Sequence, residues 1–326
     1  APEIGTSDLN RQLMIRLNNG TQGERRDEAD RLVLLGERQQ RRGNLESAIA
    51  SWLQALEIYH QIGDFEAFGL ISDRIGLTYA DLGLYKEAED ALRRRLAIAR
   101  TLKDRQGQIF GLNNVGTILL QKHRLPDAKA TFEEALQIAR DVNNFRGEGL
   151  SLSNLGLVAA QQKDYDRAIK LFEAAVSLQR RARDSFAEAL TLNYLGDTYQ
   201  AIHRYRESTG AYGEALRIAQ VSGDRPNHFR AIDGLVAVYC TVGRFARAEE
   251  LLRDRIALAR QDENSRQELK SFQLLARVYE RWEKYSDAAS AYLRALDVAH
   301  TLGDRQTAAI LLYQLGDILP AALAQY

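Results

Sequence analysis

The chain has 326 residues, 45% hydrophobic and 27% charged, with Lys and Arg at 44 against Asp and Glu at 44. That composition supplies a core and excludes both charge-driven disorder and a strongly cationic nucleic-acid binder. A single cysteine, Cys240, excludes an intrachain disulfide, and no apolar run reaches the 18 residues that would mark a membrane span.

Residues 1–23 precede a repeat. Leu9, Leu13 and Leu17 recur at four-residue spacing, the mark of an amphipathic helix, expected here to cap the first unit. From Glu24 onward the chain aligns in rows of 40 without an insertion. One column reads Gly36, Gly76, Gly116, Gly156, Gly196, Val236, Ala276, Gly316. Another, 12 residues on, reads Ala48, Ala88, Ala128, Ala168, Ser208, Ala248, Ala288, and a third Trp52, Leu92, Phe132, Phe172, Tyr212, Leu252, Tyr292. Small residues facing large ones in register point to two closely packed helices per unit.

The unit boundaries carry capping chemistry. Asp64, Asp104, Asn144, Asp184, Asp224, Asn264 and Asp304 stand where a side-chain oxygen can accept from the free N–H groups of the next helix. Gly63, Asn143, Gly223 and Gly303 precede four of them and tolerate the left-handed turn that ends a helix. Arg100, Arg140, Arg180 and Arg260 sit in last turns, favourable to the helix dipole. A second break falls near Gly43, Gly83 and Gly243, and at Pro126. Seven two-helix units are expected over 24–303, then an eighth helix A from Asp304 to Leu319 within the terminal segment 304–326. One helix pair cannot bury its apolar face alone, so the units must stack.

These columns resemble the tetratricopeptide repeat (TPR), in a class with a 40-residue period. "LRRRLAIARTLKDRQG" and "FEEALQIARDVNNFRGEG" are similar to the spindle-orientation adaptors Pins and LGN and, more loosely, to kinesin light chain. The proline usual at the end of the second helix is absent. The resemblance implies an all-α, right-handed superhelical solenoid of antiparallel helix pairs, with a concave wall of first (A) helices that binds peptides.

A glycine inside a helix costs about 1 kcal/mol against alanine, which six of eight copies accept if a Cβ would push the second helix away. Asn154 lies about 200° round the helix from Gly156, off that contact. The resemblance places its phase on the groove. Arg74, Asn113, Asn114, Asn154, Asn193 and Tyr194 would then form a ladder of hydrogen-bonding groups for the main chain of an extended peptide. The other reading has these asparagines bonding between adjacent A helices. By the same phases Asp30, Glu37, Asp73 and Asp81 fall toward one end, and Arg230, Lys270, Arg277 and Arg281 toward the other. Asp233 and Glu280 stand among the latter; on one reading Arg230, Lys270 and Arg277 take an acidic stretch of partner, on the other these are solvated surface charges.

Catalytic signatures are missing: no P-loop, no dinucleotide fingerprint, no G-x-S-x-G and no H-E-x-x-H. No two histidines stand at helical spacing for a metal pair, so no cofactor and no metal are expected. The end "AAILLYQLGDILPAALAQY" is apolar nearly all round, unlike a polar terminal cap. Either the natural chain continues beyond Tyr326 or this end packs on another copy. The expected function is a non-catalytic scaffold that takes a protein or peptide, with no nucleic acid and no membrane insertion. The alternatives are an assembly factor acting through its C-terminal end or convex face, with homo-oligomers through that end, and a peptide-sensing regulatory domain. The cytoplasm is the favoured compartment, an exported mature form the other.

Overall fold

The computed structural model describes residues 23–325. The segment holding Leu9, Leu13 and Leu17 lies outside the described residues. Among the described residues there are fifteen α-helices and no strand. The odd-numbered helices are the first of each pair: α1 (Glu24–Arg41), α3 (Phe65–Asp81), α5 (Arg105–Gln121), α7 (Phe145–Gln161), α9 (Ser185–Ala201), α11 (Arg225–Thr241), α13 (Ser265–Arg281) and α15 (Arg305–Leu323). The even-numbered helices are the second: α2 (Leu45–Ile62), α4 (Tyr85–Thr101), α6 (Leu125–Asp141), α8 (Tyr165–Arg181), α10 (Tyr205–Ser222), α12 (Phe245–Gln261) and α14 (Tyr285–Leu302).

The starts of the A helices follow from side-chain chemistry. Each of the seven Asp and Asn residues at the junctions accepts from the backbone N–H three residues on, at 2.9–3.2 Å: Asp64 from Ala67, Asp104 from Gly107, Asn144 from Gly147, Asp184 from Ala187, Asp224 from Asn227, Asn264 from Gln267 and Asp304 from Thr307. The stops follow from backbone conformation. A residue with φ between +50° and +87° recurs every twenty positions from Gly23 to Gly303. Seven of these residues are glycines; the rest are Lys103, His123, Asn143, Lys163, Arg183, His203, Glu263 and Glu283. The 40-residue unit is thus two 20-residue helix-and-turn halves, and the left-handed turn is imposed even where the side chain disfavours it.

The chain divides into two compact units, one up to Thr191 and one from Leu192. In the first, Trp52, Leu92, Phe132 and Phe172 of the B helices are fully buried against the glycine column of the A helices. A Cβ at Gly156 would fall 2.6 Å from the Phe172 ring, which explains the glycine. In the second unit, Tyr212 fills the same place over Gly196, and Val236 and Ala276 are buried where glycine stood before. The last helix, α15, runs four residues beyond the expected Leu319, through Pro320 to Leu323. Its end is fastened by Gln325, which donates to the Glu283 carbonyl at 2.7 Å and accepts from the Ser286 N–H at 3.3 Å.

Candidate functional site

The A helices α5 and α7 each have three occupied sides. Gly76, Gly116 and Gly156 look at the B helix of their own pair. Positions three earlier, such as Asn113 and Ser153, look at the following A helix, and positions like Ser151 look at the preceding one. In α5 and α7 the side left over carries the residue six beyond the cap, half-buried Phe110 and Leu150; the residue thirteen beyond, on the same face at helical spacing, is buried in α5 (Thr117) and half-buried in α7 (Leu157).

This arrangement relocates much of the expected amide ladder. Asn113 is 1% exposed and Asn154 2%. The Asn113 side chain donates to the Ile109 carbonyl at 2.9 Å and to Ser151 Oγ at 3.0 Å, and it accepts from Asn154 Nδ2 at 2.9 Å. Ser153 and Thr191 continue the bonding at 3.0 Å. Asn193, fully buried, donates to Asn227 in the second unit. These amides therefore bond between adjacent A helices rather than facing an open groove. A buried amide needs partners, and the nearest ones are the neighbouring helices.

The charged members of the ladder are also engaged. Arg74 is buried, bonds Glu37 at 2.8 Å and stacks over Trp52 at 4.8 Å. Burial pushes its pKa below the ordinary arginine value, against the pull of Glu37. Asp73 is enclosed and bonded by Arg95 at 3.2 Å and by Asn114; burial is the largest influence and holds its carboxyl above the usual range. In the second unit the same geometry recurs. Asp233 binds Arg255 at 3.0 Å and Lys270 at 2.7 Å. Arg255 is fully buried and also bonds Gln267 and Ser271. Tyr194 is buried under the Arg230 guanidinium, 4.6 Å from the ring, and Arg230 binds Asp197 at 2.8 Å. Several acidic and basic groups expected as opposite ends of a groove are thus neutralised locally.

Reading by column missed Arg95 and Arg255. A signal existed: that column is otherwise alanine (Ala55, Ala135, Ala175, Ala215, Ala295), and arginine appears only in the two units whose A helix carries Asp73 or Asp233. The apolar column Leu70, Phe110, Leu150, Leu190 was missed as well. Leu70 is buried, while Phe110, Leu150 and Leu190 are half-buried on α5, α7 and the start of α9. Arg146 stands beside them, bonded to Asp184 at 2.7 Å with its guanidinium 5.8 Å from the Phe110 ring. Among the expected contact residues, half-buried Asn114 and Arg230 and exposed Lys270 and Arg277 present surface to solvent.

Among the described residues no group of three or more His, Cys, Asp or Glu is placed to hold a metal ion, and no helix is long and apolar enough to cross a membrane. Burial pushes the Cys240 thiol up, away from the reactive thiolate.

The architecture is that of a helix-pair repeat protein. Tetratricopeptide repeat profiles match residues 67–141, 148–221 and 271–306, more than half of the chain, and the chain belongs to that family. A narrower likeness to Pins and LGN is not shown. The sequence has no match among curated proteins. Solved structures share the fold. The chain is similar to a signal transduction ATPase with a tetratricopeptide repeat sensor from Pyrococcus horikoshii (TM-score 0.58, 16% identity, 93% of this chain and 46% of that one), and so spans less than half of that protein. It is similar to the Rap conjugation gene regulator of plasmid pLS20 in complex with the Phr* peptide (0.57, 20%, 86% and 78%). It is also similar to BtubC from P. vanneervenii (0.55, 22%, 68% and 92%).

Proposed function

We propose that the chain is a non-catalytic protein-interaction scaffold that holds an extended partner segment along the open A-helix face of its first unit. The observation that carries this reading is the half-buried series Phe110, Leu150 and Leu190, one residue per A helix at 40-residue spacing. A row of equivalent apolar seats on successive helices suits a chain that lies across them. Asn114, one helical turn beyond Phe110, stands along the row to bond the partner's main chain. The buried amides keep the A helices in register, which preforms the face and lowers the ordering cost of binding. The peptide held by the Rap regulator, on the same fold, supports a peptide as the ligand class.

The experiment is selection of displayed random peptides on the wild-type chain, followed by titration of the selected peptides against Phe110→Asp/Leu150→Asp. At least a tenfold loss of affinity, about 1.4 kcal/mol, with an unchanged helical spectrum is expected. Equal affinity for both proteins would overturn the assignment of the face.

A further inference from the structure

Adjacent A helices of the first unit touch through short side chains. Asn113 reaches Ser151 at 3.0 Å and Asn154 at 2.9 Å, and Ser153 reaches Thr191 at 3.0 Å. Direct bonds between such short groups hold the helix axes within the usual packing range of about 8–10 Å. Phe110, Leu150 and Leu190 occupy the same position on successive A helices, and all three are half-buried. One apolar seat therefore follows the next at a step of about 9 Å.

That step selects the backbone of the chain lying across it. A β-strand returns a side chain to one face after about 6.6 Å, and again after about 13 Å. Both miss the seats. An α-helix brings its apolar residues round at steps of about 5 Å, closer than the seats stand. A polyproline II chain turns once in three residues and rises about 3.1 Å for each. Every third side chain then returns to the same face after about 9.3 Å, in step with the row.

The face also sets the charge of its guest. Beyond their first four residues, α5 and α7 carry no charged residue. The two charges in the first turn of α7 are closed within the unit, Arg146 on Asp184 at 2.7 Å and Glu148 on Arg140 at 2.9 Å. A charged partner side chain over the row would lose water without gaining a counter-charge. An uncharged segment complements it.

We propose that the occupant of this face is an uncharged polyproline II segment of a partner protein, with an apolar residue at every third position for Phe110, Leu150 and Leu190 in turn. The inference rests on the reading of this face as a peptide site and adds the conformation, spacing and charge of the peptide. Half-buried Asn114 bonds one of the main-chain carbonyls that a polyproline II chain leaves free.

The probes are three end-blocked, uncharged peptides of one composition. Each holds three leucines among glutamine and proline, spaced by two, three or four residues. Fluorescence anisotropy measures each against the full wild-type chain. The three-residue spacing is expected to bind about tenfold tighter than either of the others. Versions of that peptide with glutamate or lysine in place of the glutamines are expected to bind more weakly than the parent. A peptide of two- or four-residue spacing that binds as tightly as the three-residue one overturns the proposal, and so does a charged version that binds tighter than its parent. Displayed peptides selected on the wild-type chain separate this result from the fate of the face itself. Selected peptides that lose affinity on Phe110→Asp/Leu150→Asp but lack a three-residue apolar period overturn the polyproline II assignment and leave the face in place. Selected peptides indifferent to those two changes overturn the face, and this inference with it.

Discussion

Asn154 donates its side-chain N–H to the side-chain oxygen of Asn113 at 2.9 Å, joining α7 to α5 across 41 positions of sequence. Both groups are buried, so each is a fastener between successive A helices. Asn154→Ala leaves the Asn113 oxygen short of a donor and is expected to cost about 1–3 kcal/mol. Asn113→Ala removes more bonds and costs at least as much. The double variant falls short of the sum, because the two residues share one bond. Urea unfolding of the four proteins measures this. An Asn154→Ala protein with unchanged stability would contradict the role given to the amide.

The Asp73–Arg95 pair is expected to behave as a unit. Asp73→Ala strands a buried guanidinium, a loss of about 3–5 kcal/mol. The third unit places Asn113 and Ala135 at the same two positions. Asp73→Asn with Arg95→Ala imports that solution, and is expected to recover more than half of the loss. Thermal or urea unfolding decides it; a double variant as unstable as Asp73→Ala would show that the pair is not exchangeable as a set.

Two helix-interior glycines are expected to respond with opposite signs. At Gly156 a methyl would press on Phe172, so Gly156→Ala should destabilise by about 1–3 kcal/mol. At Gly210 in α10 an added Cβ meets nothing within 4 Å. Gly210→Ala should therefore stabilise by about 0.5–1 kcal/mol through helix propensity. Matching signs at the two sites would remove the packing explanation for the glycine column.

Acid sensitivity is expected at His228. Its Nδ1 is buried without a hydrogen-bond partner, and burial, followed by the charge of Arg225, holds its pKa below the ordinary value. The unfolded chain then binds the proton more readily than the folded one. Stability contributed by neutral His228 is present above the unfolded value of about 6.5 and is lost as pH falls through the folded value. His228→Gln should flatten the stability profile between about pH 7.5 and 5.5. An identical slope in wild type and variant, read from urea midpoints, would assign the acid response elsewhere.

The unit boundaries were legible because they depend on local chemistry. A cap oxygen needs only the N–H three residues ahead, and Asp64 through Asp304 announce it at every junction. The stops were half legible: Gly63 and Gly223 advertise a left-handed turn, whereas Lys163 and Glu263 adopt it under the constraint of the packed helices on either side. The direction of Asn154 was not legible from one helix wheel. It depends on how closely the next A helix approaches, and that distance brought the asparagine phase between helices and left the Phe110 phase open. Arg95 and Arg255 could have been found, since arginine in an alanine column must bury a charge, and Asp73 and Asp233 stand 22 positions before them.

The regular stops at twenty-residue intervals make the molecule tolerant of length change only in whole steps. Excising residues 104–143 would join two boundaries of like chemistry and keep every later cap in phase, yet it would set Asn154 against the Asp73 neighbourhood in place of Asn113. Gain or loss of a rung is therefore permitted by the turns and policed by the side chains between rungs, so that the order of the units, as much as their number, is written into the protein.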